Sequence, residues 1–121
     1  MLFFLSNYKA QAQDLTDTKS LLKSKVWLMD EGLKVTMRVT DTEIIRYVDG
    51  EAVISVKYHL SDKKCGESSF DPNKVGLISK GNYIFYEKGS CSYIKFVNPS
   101  EFKMIVATVT GPVLTSFFAK P

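Results

Sequence analysis

A chain of 121 residues, 45% apolar and 24% charged, has room for one domain with a real core and none for a second, and its composition is not that of a disordered protein. The net charge of +3 is spread along the sequence without a basic run, so there is no nucleic-acid footprint. No apolar stretch approaches the roughly 18 residues of a transmembrane helix.

Residues 1–13 differ in character from the rest of the chain. Leu2 to Leu5 form an apolar cluster, and Ala10-Gln11-Ala12 has the small-x-small form that a signal peptidase reads. The stretch reads as the end of a secretory signal, although its apolar cluster is shorter than the usual h-region of about 7 to 15 residues and no basic segment precedes it. The competing reading is an N-terminal arm that packs Phe3, Phe4 and Leu5 against the body of the protein, residues 14–121.

In residues 14–23, Thr16 and Asp17 are cap residues ahead of Leu21 and Leu22, which predicts a short helix. Residues 25–29, with Trp27 at their centre, open the first strand, and Asp30-Glu31-Gly32 turns the chain. In residues 33–40, Leu33, Val35, Met37 and Val39 alternate with Lys34, Thr36, Arg38 and Thr40, the period of a half-buried strand. After a further strand at 41–48, Asp49-Gly50 supplies the two residues that tolerate positive φ in a type I′ hairpin. In residues 51–60, Ala52, Ile54, Val56, Tyr58 and Leu60 then share one side, and Glu51, Val53, Ser55, Lys57 and His59 share the other. His59, the sole histidine, is expected to be solvated.

Residues 61–74 are polar and rich in turn formers, so they form the one long loop. Strand patterns resume at 75–78, 83–88, 91–97, 102–110 and 113–119, separated by Lys80-Gly81-Asn82, Gly89-Ser90, Asn98-Pro99-Ser100 and Gly111-Pro112. A consecutive meander of this length must protect its edges, and closure does so. The expected fold is an all-β, up-and-down antiparallel barrel of eight or nine short strands with a short N-terminal helix. A sandwich would need Greek-key crossovers and longer connections.

Cys65 and Cys91, 26 positions apart, lack the spacing of metal ligands. In an oxidising compartment they would form one disulfide tying the long loop to the sheet, worth about 3 kcal/mol on the loop-entropy model; in the cytosol they would be two free thiols. One histidine with no partner at ligand spacing supports neither a metal site nor a Ser-His-Asp set. The acidic pairs sit at turns and the glycines are dispersed, so the residues point to no enzyme and no cofactor. The aromatic residues gathered between Tyr83 and Phe118 can fill a core or line a cavity, because an eight-stranded barrel is wide enough for either.

A short helix, a strand carrying Trp27 and a meander ending in the aromatic strand around Phe117-Phe118 together resemble the lipocalin-like domains of exported bacterial proteins, over roughly residues 15–120. That family's first strand typically carries Gly-x-Trp; Lys25-Val26-Trp27 keeps the tryptophan without the glycine. The resemblance implies a barrel closed near Trp27, with Lys120 or Lys103 over the indole, and an open end that admits a small ligand. The expected function is non-enzymatic binding of a small apolar or amphipathic molecule in the periplasm or outside the cell. Trp27, Met37, Ile54, Tyr58, Phe85 and Phe96 are the candidate ligand contacts. The rival expectation is a filled barrel acting through its surface as a protein-binding module, such as a periplasmic inhibitor or immunity protein, with the long loop as its contact.

Overall fold

The computed structural model describes residues 18–30 and 34–120; the leader or arm, the predicted caps at Thr16 and Asp17, and most of the predicted turn at 30–32 lie outside them. Among the described residues, one helix, α1 (Thr18–Ser24), precedes eight strands: β1 (Trp27–Asp30), β2 (Val35–Val39), β3 (Glu43–Val48), β4 (Glu51–Ser61), β5 (Tyr83–Tyr86), β6 (Cys91–Val97), β7 (Glu101–Thr108) and β8 (Gly111–Ala119). Each strand pairs antiparallel with its neighbours in sequence, and β8 returns to β1 through Trp27↔Ala119 and Leu28↔Phe118. The chain therefore closes as an up-and-down barrel.

Local chemistry explains the joints. Asp49 and Gly50 both hold positive φ, at 53° and 82°, and put Val48 opposite Glu51 as a two-residue hairpin requires. Pro112 sits at the start of β8, where only β7 pairs with it, so its missing N–H breaks no bond on the β1 side. Gly81 brings the end of the long loop hard against β4; a Cβ there would lie 2.5 Å from the Ser61 carbonyl oxygen.

The predicted strand at 75–78 is absent. Leu60 pairs directly with Ile84, so β4 and β5 leave no edge for an extra strand. The loop instead runs on from the end of β4 to Tyr83, with a 3-10 turn at Pro72–Lys74 whose Asp71 carboxylate accepts from the Asn73 N–H. A disulfide joins Cys65 of this loop to Cys91 at the start of β6, with Cα atoms 5.8 Å apart.

Two bulges decide which side chains face inward. Between β3 and β4, Arg46 pairs with Ile54 and Tyr47 with Ala52, so Val53 is the extra residue and Ala52 leaves the face shared by Ile54, Val56, Tyr58 and Leu60. Between β6 and β7, Ile94 pairs with Met104 but Phe96 pairs with Lys103, so Lys95 is the extra residue. Simple alternation from Ser92 and Ile94 would turn Phe96 inward; the bulge turns it out and Val97 in. The core at one end of the barrel is made by Trp27, Tyr58, Leu60, Ile84, Ile94, Val97, Phe102 and Phe117, with Leu22 of α1 laid across it.

A recess at the barrel mouth

The closed end is solid. The Trp27 ring meets Phe102 edge-on at 5.6 Å, and Phe102 stacks on Phe117 at 4.9 Å. The indole Nε1–H donates to the Leu22 carbonyl at 3.0 Å and so fastens α1 across the base. The buried Tyr58 hydroxyl donates to the Thr40 carbonyl at 2.8 Å, and burial raises its pKa, with the Asp41 charge adding to the shift. Lys19 of α1 lies 5.8 Å from the Tyr58 ring centre and 4.0 Å from the Asp41 carboxylate, its pKa lowered chiefly by burial.

Above this floor the inner side chains leave a recess open to solvent. A recess of about 220 Å³ is lined by Met37, Ile44, Ile54, Val56, Met104 and Val106, with Tyr86, Arg46, Lys88 and Ser90 as its polar groups. The register explains why these residues meet: Trp27, Met37, Arg46 and Ile54 occupy successive positions of one row across β1 to β4. Tyr86 pairs with Tyr58 and stands inside, its hydroxyl 3.0 Å from Ser92 Oγ and 3.8 Å from Met104 Sδ. Burial raises the Tyr86 pKa, while the Ser92 hydrogen bond and the Arg46 charge pull it the other way. Such an arrangement can hold a small molecule by apolar burial, with few polar groups to orient it. Among the described residues, no three His, Cys, Asp or Glu side chains gather as a metal site.

Of the expected contacts, Met37 and Ile54 line this recess. Trp27 and Tyr58 lie in the floor beneath it. Phe85 and Phe96 belong to the outer wall: Phe85 stacks on His59, and Phe96 carries the Lys103 ammonium 5.7 Å from its ring centre. Lys103 is thus committed outside, beside Glu101 at 3.8 Å, and the exposed Lys120 uses its backbone N–H to donate to the carbonyl of Val26, the residue before β1. The ring set against the indole is the phenyl of Phe102. His59 is 2% exposed where solvation was expected, because the long loop lays Phe70 over it.

Sequence patterning alone does not single out Arg46, Lys88 and Ser90. Arg46 was legible in principle, since it lies two residues from Ile44 on the same face of β3. Two further clefts, of about 390 and 400 Å³, are surface features, the first beside the long loop between Lys63, Lys74 and Lys80, the second over Tyr83, Tyr93 and Cys91. Neither reaches the barrel interior.

Fold and recess together define an eight-stranded up-and-down barrel with a packed core and a recess at one mouth. No protein family, curated protein or solved structure matches the chain. No helix among the described residues is long and apolar enough to cross a membrane.

Proposed function

We propose that this protein is an exported, lipocalin-like binding protein that holds a small apolar or amphipathic molecule in the mouth of its barrel, without catalysing a reaction. The observation that carries this reading is the recess itself, an apolar concavity above a solid aromatic floor. Export rests on the Cys65–Cys91 disulfide, which persists in oxidising compartments, and on the small-x-small pattern at Ala10-Gln11-Ala12.

Native mass spectrometry tests the reading on protein purified from a secreting host without denaturant, beside a Val56→Phe variant whose ring occupies the recess. A small co-purifying mass in the parent that is missing from the variant is the expected result. A mass retained by the variant would put the ligand elsewhere and overturn the assignment.

A second reading has one observation in its favour. Tyr83, Tyr93, Ile105 and Leu114 form a continuous row across the outer faces of β5 to β8, with Leu114 53% exposed. An apolar row beside a loop held by a disulfide suits the surface of an inhibitor or immunity protein. Co-purification of a second polypeptide that is lost on Tyr93→Lys substitution would favour it over the small-molecule reading.

A further inference from the structure

We infer that the ligand is an anionic amphiphile, with a compact acid head seated between Arg46 and Lys88 and a short apolar tail reaching down to Met37 and Met104. The inference rests on the recess being a binding site and goes on to assign its charge and length.

The charge is set by the lining. Among the described residues it contains two cations, Arg46 and Lys88, and no carboxylate. Ion pairs elsewhere among the described residues join Lys19 and Lys23 to Asp41 and Lys103 to Glu101; neither Arg46 nor Lys88 takes part in one. Arg46 occupies an inward register position between Met37 and Ile54, where an apolar residue would complete the wall. An arginine facing the inside of a barrel mouth keeps its head hydrated only while the mouth is open, so a ligand that covers it must replace that water with an acceptor. A carboxylate does so bidentately, and the Lys88 ammonium and Ser90 hydroxyl are further donors on the same lining.

The tail is set by the deeper surface. The one deep polar group, the Tyr86 hydroxyl, already has Ser92 Oγ at 3.0 Å, so the bottom of the recess asks for no polar partner. The remaining deep surface is Met37, Ile44, Met104 and Val106, which a bare inorganic anion would leave wet. The floor limits the length. The recess is small, about 220 Å³, and Trp27, Phe102 and Phe117 block any extension. A medium-chain acid fits; a long-chain fatty acid must leave most of its tail in solvent.

The test is a titration of the full chain followed by the methyl resonances of Met37 and Met104, with three probes of equal tail length: octanoate, 1-octanol and octyltrimethylammonium. Octanoate should bind about ten-fold more tightly than octanol, and the cation more weakly than either. The Arg46→Gln, Lys88→Gln double variant should bring octanoate down to the octanol level and leave octanol unchanged. Added salt should weaken octanoate alone, and hexadecanoate should bind no more tightly than octanoate. If octanol matches octanoate while both shift the two methyl groups, the recess binds ligands but the charge assignment is overturned. If no probe moves either methyl group, the recess reading itself falls.

Discussion

The rings of His59 and Phe85 lie 5.3 Å apart and 15° from parallel on the outer wall of the barrel, and Phe70 of the long loop lies 5.6 Å from the same imidazole. His59 Nδ1 is 3.1 Å from the Leu60 carbonyl oxygen, which makes Nδ1 the protonated nitrogen and leaves Nε2 a buried acceptor without a partner. The side chains of β4 and β5 that face away from the core thus form a second, smaller core beneath the loop.

That geometry makes Phe85 a loop anchor. Phe85→Ala should cost about 3 kcal/mol of stability, as large-to-small changes at buried phenyl groups do, and should loosen residues 62–82. Binding in the recess should stay as it was, since the ring is on the other side of the sheet. Urea unfolding and amide exchange of the loop check the first part, and ligand titration checks the second. Loss of ligand with the loop still protected would place Phe85 at the ligand after all.

Cys91 is the register partner of Phe85, so the disulfide pins the loop beside the same small core. A Cys65→Ser, Cys91→Ser variant should lose about 3.5 kcal/mol, the value for a closed loop of this length, mainly through the freer unfolded chain. Because Cys91 and the loop lie outside the barrel wall, affinity in the recess should change less than two-fold at temperatures where the variant stays folded. Chemical denaturation and a titration at low temperature measure the two effects. A parallel collapse of affinity would tie the recess to the loop.

Burial raises the pKa values of Tyr58 and Tyr86, so the folded protein keeps two protons that the unfolded chain releases above the ordinary tyrosine value of 10.0. Stability must then fall as pH rises past that value, by about 1.4 kcal/mol per pH unit for each tyrosine. Lys19 acts in the opposite sense at lower pH: its lowered pKa means that the folded state has already released a proton which the unfolded chain holds up to 10.5. Urea midpoints from about pH 9 to about pH 11 should therefore turn downward near the top of the range. Tyr58→Phe should flatten the alkaline slope and, by removing the hydrogen bond to Thr40, cost about 1 kcal/mol at neutral pH. An unchanged slope in the variant would show that Tyr58 titrates normally in the fold.

Apart from the strand expected at 75–78, which is absent, strand positions were legible because turn chemistry and period-two alternation both act locally. The Asp49-Gly50 hairpin and the strands around it are products of that chemistry alone. What alternation cannot supply is the face. In β5 both sides are apolar, Ile84 and Tyr86 against Tyr83 and Phe85, and only the loop returning over one side shows which is inner. The bulge at Lys95 carries no signature in its own residue, yet it reverses Phe96. His59 reads as solvated because alternation puts it on the polar side with Ser55 and Lys57; the residue that buries it, Phe70, is eleven positions away in a loop. The cations of the recess stayed hidden for a related reason. A charged side chain at an inward position has the pattern of a surface residue until pairing across three strands puts it beside Met37 and Ile54.

The contrast between hollow mouth and solid floor can be measured without a ligand. Val56 and Leu60 lie on the same face of β4, four residues apart, Val56 in the recess and Leu60 fully buried in the floor. Enlarging each to Phe asks whether room exists. In a close-packed core the larger ring forces neighbours from their rotamers, and Leu60→Phe should cost about 1 to 3 kcal/mol. At Val56 the ring enters empty space and gains contact with Met104 and Val106, so the change should cost less than about 1 kcal/mol. Urea unfolding of both variants at one pH decides. If Val56→Phe proves as damaging as Leu60→Phe, the mouth is packed in solution and the barrel is filled from end to end. The surface row at Tyr83, Tyr93, Ile105 and Leu114 would then be the better place to look for a partner.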